Sequence, residues 1–434
     1  MDKMADVLGR AGAWCGQNKY LSAIKNAFQN FMPLTIAGAI GVLWCNVLVN
    51  DQTGLGLFFK PIMALDFLNP AFQAVNFCTI SCITVGITLG IAQEIGVWNM
   101  GAERAGYIPG LVGLAAWLSV TNTSHMVDGA KEAFTGIAGN ELGATGLFTG
   151  MIIGVLSVEL FCFFEKQDAL KIKMPEQVPP GVARAFEVLV PATITLIITA
   201  CIGSACYNLT GLYLNDVIKN GIQGPLGAVG ATIPGVMIIY LVIMLFWLVG
   251  IHGNNMLSAV KEALFTPLAL ENVEAFNKGE TPKNIINMYF LQMWGEFGGS
   301  GVTIGLVIAI MIFGKREDNK AIATLSLVPG LFNINETVTF GIPMVLNPIL
   351  GIPFVVAPLV TIIIGYVLTV IGFCPVACLT VPWTTPPIVF GFLACGANVM
   401  GAVTQAILIV VSTVIYVPFL ISYEKYQNKQ AAEA

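Results

Sequence analysis

The sequence predicts an all-α polytopic membrane protein of about ten membrane helices, with two re-entrant hairpins in its C-terminal half. Three observations carry this reading. First, 56% of the 434 residues are apolar and 10% charged, with a mean hydropathy of +0.80. A soluble domain is about 25% charged, so the 20 basic and 25 acidic residues are too few to coat a soluble globule of this size. Second, the apolar residues gather into runs long enough to cross or nearly cross hydrocarbon. Third, the later part of the chain carries apolar pieces broken by Gly, Pro and polar residues. The net charge of −5, with no Lys/Arg block, excludes a basic nucleic-acid binder. The apolar content equally excludes a disordered scaffold.

Taken in order, the long apolar runs fall at 31–49, 71–92, 105–120, 142–164, 186–207, 226–250, 349–371 and 399–421. The broken pieces are 256–276, 285–314, 321–346 and 374–396. The N-terminal half is smoother, with Gly-xxx-Gly spacings at Gly86/Gly90, Gly146/Gly150 and Gly150/Gly154. These permit close helix approach, either within the protomer or across a dimer. Segment 208–225 is too polar to span, and an interfacial helix and a plain connecting loop both fit it. The resulting division is 1–207 as an N-terminal helical half for scaffold and dimerisation, 208–225 as connector, 226–421 as the C-terminal binding half with the re-entrant hairpins, and 422–434 as a polar tail.

Basic residues set the expected topology. Lys3, Arg10, Lys19 and Lys25 precede the first run, and Lys166, Lys171, Lys173 and Arg184 occupy 165–185. The intervening loops carry one basic residue each: Lys60, Arg104 and Lys131, with Lys219 in 208–225. This places both termini in the cytoplasm. Six crossings would put residue 251 inside, and Lys315, Arg316 and Lys320 also read as cytoplasmic. Because 285–314 is too short for two crossings of about 20 residues, it reads as a hairpin that returns to its own side. A single crossing with a basic outer loop is the alternative. The same argument gives a hairpin at 321–346, where Pro329, Gly330, Gly341 and Pro343 bracket the tetrad Asn333-Ile334-Asn335-Glu336. Non-helical backbone at such depth is tolerated only where protein buries it or it lines a cavity.

Glu336 is the outstanding candidate for chemistry. A carboxylate at the centre of a membrane helix costs about 2.5–3.5 kcal/mol, and no basic residue lies between Lys320 and Lys425 to offset it locally. It therefore reads as facing a cavity. His252 ends the 226–250 run between Gly250 and Gly253, with Asn254 and Asn255 following, where the chain can turn sharply beside a ligand. His125, in a polar loop, reads as solvated. Glu296 precedes Gly298-Gly299-Ser300-Gly301, which fits an anion nest or a flexible turn equally well. Trp383, in VPWTTPP, has the face to stack on a sugar ring. Glu94, Glu159 and Glu187 read as snorkelling or paired. The ten cysteines show no C-x2-C spacing and read as small apolar packing residues, so no metal site and no cofactor is expected. There is no Walker A motif, no H-E-x-x-H and no G-x-S-x-G. Nor does the N-terminus have the pattern of a cleavable signal peptide.

Several stretches resemble the membrane-embedded C component of enzyme II in the bacterial sugar phosphotransferase system, in its lactose/cellobiose/diacetylchitobiose branch. They are AIKNAFQNFMPLTIAGA at 23–39, GIHGNNML at 250–257, TPLALEN at 266–272, GGSGVTIGL at 298–306, LFNINETVTFGIPMVLNP at 331–348 and VPWTTP at 381–386. The resemblance implies a permease of the bacterial inner membrane, homodimeric, that binds a β-linked disaccharide and releases it phosphorylated. It implies a phosphocysteine on a B component as donor, and an A component upstream. It carries the family's functional histidine onto His252 and its functional glutamate onto Glu336. The sugar-contacting region then corresponds to Asn333, Asn335, Trp383 and the neighbouring Asn254.

Two departures stand out. The family's usual proline after the glutamate is Thr337 here, which is expected to loosen the hairpin tip. No B or A domain follows residue 421, so the donor is expected to be a separate polypeptide. The competing reading from another class is a proton-coupled secondary sugar transporter with Glu336 as proton carrier, since broken helices at a midplane site occur there too.

Overall fold

A computed structural model describes all residues except 1–9, 11, 12, 15, 16, 52–54, 126–133, 176, 343 and 434. Lys3, Cys15, Lys131 and Pro343 therefore lie outside the described residues. The chain is overwhelmingly helical. Five of the described helices are long and apolar enough to cross a membrane, or up to eight if each bent pair counts as one span. The chain forms two compact units that interleave in sequence: one holds Gln17–Thr35 and Phe77–Ala228, the other Met1–Gly16, Ile36–Asn76 and Val229–Ala434.

Helix α1 (Lys19–Leu43) begins in the first of these units. The unit continues with α2 (Ile83–Met100), α3 (Ile108–Val120), α4 (Ala144–Glu165) and α5 (Pro180–Thr210). Its small residues work inside the protomer. A Cβ on Gly150 would sit 2.2 Å from Thr88 Oγ1, and one on Gly86 would strike the Phe31 ring. The acids expected to snorkel are paired: Glu159 with Lys19 at 2.6 Å, Glu187 with Arg104 and Arg184 at 2.8 Å, and Glu94 with Asn26 at 2.9 Å. Glu165 is buried between Arg104 and Arg184. The connector is largely helical: a short helix, Leu214–Ile218, runs through a wide helical turn over Lys219–Gln223 into Gly224–Gly230.

The other unit holds α6 (Ile233–Leu248), α7 (Gly253–Asn277), α8 (Met288–Gly295), α9 (Ile304–Phe313) and α10 (Glu317–Leu331). After these come α11 (Glu336–Gly341), α12 (Gly351–Val370), α13 (Val389–Ala394) and α14 (Val399–Glu433). Helix α14 does not stop where the composition turns polar. Its Glu424 is buried and accepts the backbone N–H groups of Lys315 and Arg316.

One hairpin lies where the sequence puts it. Helices α10 and α11 fold back on each other, with Gly341 against Ile322 and the turn at 332–335. Over 285–314 the arms, α8 with the turn that follows it and α9, meet at a bend of 56°. The chain also reverses at 374–396: the N–H groups of Cys378 and Leu379 both donate to the Ala394 carbonyl, and Trp383–Pro386 form the tip.

The broken backbone is held from behind by α14. Gln405, Ser412 and Tyr416 are spaced so that they share one helix face. Gln405 Oε1 accepts from the N–H groups of Ile388 and Gly391 at 2.7 and 2.8 Å, while its Nε2 donates to the Met293 carbonyl at 3.1 Å. Ser412 and Tyr416 donate to the carbonyls of Val302 and Gly301, each at 2.8 Å. Ile388 and Val302 have φ of 75° and 48°. A bulky residue there costs about 1–3 kcal/mol, and it is the buried hydrogen bonds that hold it. Gln405→Leu would leave two N–H groups and a carbonyl unpaired. It is expected to lower stability by about 2 kcal/mol or more, read as an earlier denaturation midpoint in detergent; an unchanged midpoint would refute this account of the hairpin.

Candidate functional site

The site is built where four interruptions of helix meet within one unit: the α6–α7 turn, the α8–α9 break and the turns at 332–335 and 375–388. At the first, His252 is the N-cap of α7, and its Nδ1 accepts the Asn255 N–H at 3.2 Å. Gly253 must follow, because a Cβ there would lie 2.0 Å from the Ile243 carbonyl oxygen. The imidazole also packs on Trp247, with ring centroids 4.4 Å apart. Since Nδ1 is an acceptor, the neutral ring carries its proton on Nε2. That nitrogen stands 3.6 Å from Glu336 Oε1. The two residues singled out in the sequence, 84 positions apart, are thus brought together, both partly exposed to a cavity.

The cavity has a volume of about 210 Å³. Ligand pockets usually run to about 300–1,000 Å³, so it is a small one. Asn254, Asn333, Asn335 and Trp383 all line it. Trp383 presents 42% of its surface. The asparagines are engaged elsewhere. Asn333 Oδ1 accepts from the Gly298 N–H at 2.6 Å, while its Nδ2 donates to the carbonyls of Trp383 and Thr385 at 2.5 and 3.0 Å. Its φ of 62° suits an asparagine. Asn335 Nδ2 donates to the Ser300 carbonyl and to Thr339 Oγ1, at 2.8 and 3.1 Å. Asn254 donates to Ser300 Oγ at 2.9 Å and accepts from Lys261 at 3.1 Å. These side chains therefore lock the loops together.

Glu296 also faces the cavity, and its Oε1 is bound by Lys261 Nζ and, at 2.8 Å, by Tyr240 Oη. Lys261 was not singled out by the sequence reading. It stands beside Glu262 among the polar residues of α7, and only the fold reveals that its acid partner is Glu296. The Gly298–Gly301 run is a turn and not an open anion nest: Gly298 N–H binds Asn333, and Gly299 N–H binds the Glu296 carbonyl at 2.9 Å. Gly299, at φ 88°, also lies so close to Asn335 that a Cβ would approach its side chain to 2.6 Å. Thr337 is the second residue of α11, where an N–H has no intrahelical partner. Threonine there forfeits only the proline's fixed φ.

His125 stands in the other unit on a two-stranded ribbon, Ser124–His125 with Phe134–Thr135, and its ring contacts Asn122. The basic cluster at 315–320 is largely offset. Arg316 binds Asp318 at 2.7 Å and Asn428 at 2.7 Å, and Lys320 binds Glu317 at 3.3 Å. Hydrogen bonding from Arg316 holds the Asp318 carboxyl below its usual range. Among the described residues no group of three or more His, Cys, Asp or Glu side chains is placed to hold a metal ion.

Residues 25–358 match the family model of the phosphotransferase system EIIC component. The chain belongs to the EIIC family. This EIIC chain is 33% identical over 98% of its length to the oligo-beta-mannoside-specific EIIC component of Bacillus subtilis, covering 94% of that protein. It is 30% identical over 98% of its length to the cellobiose-specific EIIC component of Lactococcus lactis, covering 98% of it. Its fold matches the crystal structure of ChbC, the IIC component of the N,N'-diacetylchitobiose-specific phosphotransferase system, with a TM-score of 0.88, 30% identity and 97% coverage of both chains. The EIIC chain is accordingly a sugar permease of the phosphotransferase system, a membrane protein that acts with A and B components. The secondary-transporter reading gives way to it.

The Nδ1 acceptor role makes a direct expectation. With His125 replaced by Gln, 15N-histidine NMR of the remaining imidazole should show the neutral form protonated on Nε2. A proton on Nδ1 would contradict the capping geometry and the approach of Nε2–H to Glu336.

Proposed function

We propose that this permease carries a β-linked disaccharide and that Glu336 is the general base for its phosphorylation by a separate B component. The supporting observation is the 3.6 Å approach of His252 Nε2 to Glu336 Oε1 at the wall of a polar cavity. The relatives named for cellobiose and oligo-beta-mannosides, and the ChbC structure named for diacetylchitobiose, support the β-linked class.

In this reading one sugar ring stacks on Trp383 while its hydroxyl is held by Glu336. As the hydroxyl oxygen bonds to phosphorus, the S–P bond of the B component's phosphocysteine breaks, the thiolate leaves, and the hydroxyl proton passes to Glu336. The Nε2–H of His252 orients the carboxylate and donates towards charge that develops on the transferred group. Asn333, Asn335 and Asn254 act as positioning residues, holding the tips on which Trp383 and Glu336 stand. The protein works as a homodimer in the bacterial inner membrane, with both termini cytoplasmic. Residues 1–207 serve as scaffold, 208–225 as connector and 226–421 as the sugar-binding half. Lys315, Arg316 and Lys320 anchor the topology.

The test uses protein reconstituted in liposomes with radiolabelled β-disaccharides and the phosphorylated B component. Donor-dependent sugar phosphate is expected with the wild type. Glu336→Gln is expected to lose it by about 10²-fold or more while still binding sugar. Normal phosphorylation by Glu336→Gln would remove the general-base assignment. Uptake of unmodified sugar that follows a proton gradient and ignores the donor would remove the coupled mechanism.

A further inference from the structure

The 374–396 hairpin has at its base two cysteines that the sequence reading counted among the packing residues. Helix α12 ends at Val370, and the chain turns so that the Cys374 N–H donates to the Leu368 carbonyl at 3.1 Å. The other stem leaves α13 through Cys395, where Gly396, at φ 73°, stops the helix in the left-handed conformation. Between the stems the Cys378 and Leu379 N–H groups donate to the Ala394 carbonyl. Cys374 and Cys395 meet across this base with their sulfurs 3.8 Å apart. Both are buried, and both thiols point at the same Pro375 carbonyl oxygen, at 3.5 and 3.4 Å. Met293 Sδ stands 3.8 Å from the Cys395 sulfur.

A cysteine that only fills space needs no second sulfur beside it. Two thiols that converge on one acceptor share an orientation, and their sulfurs need approach by only about 2 Å more to reach bonding distance. The compartment fits as well. Helix α14 begins directly after the hairpin, is long enough to cross once and carries the C-terminus. With that terminus cytoplasmic, the hairpin base faces the outer side of the membrane, where disulfides form and persist.

We propose that Cys374 and Cys395 form a disulfide in the mature permease, which ties together the stems of the hairpin that carries Trp383 at its tip. This rests on the cytoplasmic C-terminus of the reading above. The oxidant is a protein disulfide on the outer side of the membrane. One cysteine thiolate attacks it, forming a mixed disulfide and releasing one carrier thiolate. The second cysteine thiolate attacks the first cysteine's sulfur in that mixed disulfide and releases the other carrier thiolate. The chain gives up two protons and two electrons, and the carrier takes up both as a dithiol. Because both sulfurs are buried in the folded chain, the exchange belongs to the emerging hairpin, before α13 packs on α14 with Gly391 against the Gly401 carbonyl. The same burial shields the finished bond from reductants. A cross-link between positions 21 apart also restricts the unfolded hairpin, which stabilises the folded one.

The experiment uses the full-length chain with a C-terminal epitope, expressed in bacterial membranes, its thiols trapped by acid before lysis. The denatured protein is alkylated without reduction, digested and read by mass spectrometry. Wild type is expected to give one linked species containing Cys374 and Cys395, lighter by two hydrogen atoms than the two free peptides together. Dithiothreitol should replace it with two alkylated peptides. Cys395→Ala is expected to leave Cys374 fully alkylated without reduction and to lower the denaturation midpoint in detergent by about 5 °C. Cys374→Ala should lower it equally, and the double variant no further. The wild-type reading needs no variant, so it decides the matter even where a substitution fails to fold. In spheroplasts the epitope should bind antibody only after permeabilisation. Full alkylation of both wild-type cysteines without reduction, with the epitope inside, overturns the inference and leaves the topology standing. An epitope exposed on intact spheroplasts overturns the topology, and the inference falls with it.

Discussion

A chain that leaves the helical path at membrane depth must find partners for every exposed N–H and C=O, because hydrocarbon offers none. The site of this EIIC chain depends on that constraint. Four interruptions, at 249–252, 296–303, 332–335 and 375–388, converge, and side chains tie the last three to distant backbone. Asn333 joins the Gly298 N–H to the carbonyls of Trp383 and Thr385. Gln405, Ser412 and Tyr416 hold the backbone from the far side. Asn272 and Asn287 do the same at the base of the 374–396 hairpin, both donating to the Ala377 carbonyl. The loops that carry Glu336 and Trp383 are therefore positioned by a mutually satisfied polar network, and such networks specify one arrangement when every member is paired.

That network also separates two carboxylates which look alike in the sequence. Glu296 is balanced by Lys261 and hydrogen-bonded by Tyr240, so its charge is compensated inside the protein. Among the described residues Glu336 is paired with the neighbouring imidazole alone, at 3.6 Å, and it faces the cavity. A compensated carboxylate is suited to holding structure. A weakly compensated one at a cavity wall is suited to taking part in proton movement. The difference lies in what the fold brings alongside each.

Much of the fold was legible because hydrocarbon imposes a length and a polarity on whatever crosses it. The runs at 142–164, 186–207, 349–371 and 399–421 correspond to α4, α5, α12 and α14. His252 and Glu336 were legible because a titratable group between glycines or inside an apolar stretch needs a reason. The reversal at 374–396 was not: it closes where the N–H groups of Cys378 and Leu379 meet the Ala394 carbonyl, a pairing that no local pattern announces. The direction of the asparagine amides was equally hidden, since Asn333 and Asn254 offer the same groups to a sugar or to a backbone. Gln292 was missed because a single polar residue in an apolar helix shows no pattern, and Lys261 because it stands beside Glu262 among the other polar residues of α7.

By itself, the sequence determined that the chain lives in a membrane, that its helices are interrupted in the later half, and that a histidine and a glutamate stand at interruptions. These follow from composition and from the energetic cost of polar groups in hydrocarbon, both local properties. Only the tertiary structure decided which partners close the interruptions, which polar groups face the cavity, and which acid is compensated. Those outcomes rest on contacts between residues up to 115 positions apart, such as Tyr416 with Gly301, and no local pattern encodes which distant partner will close an open hydrogen bond.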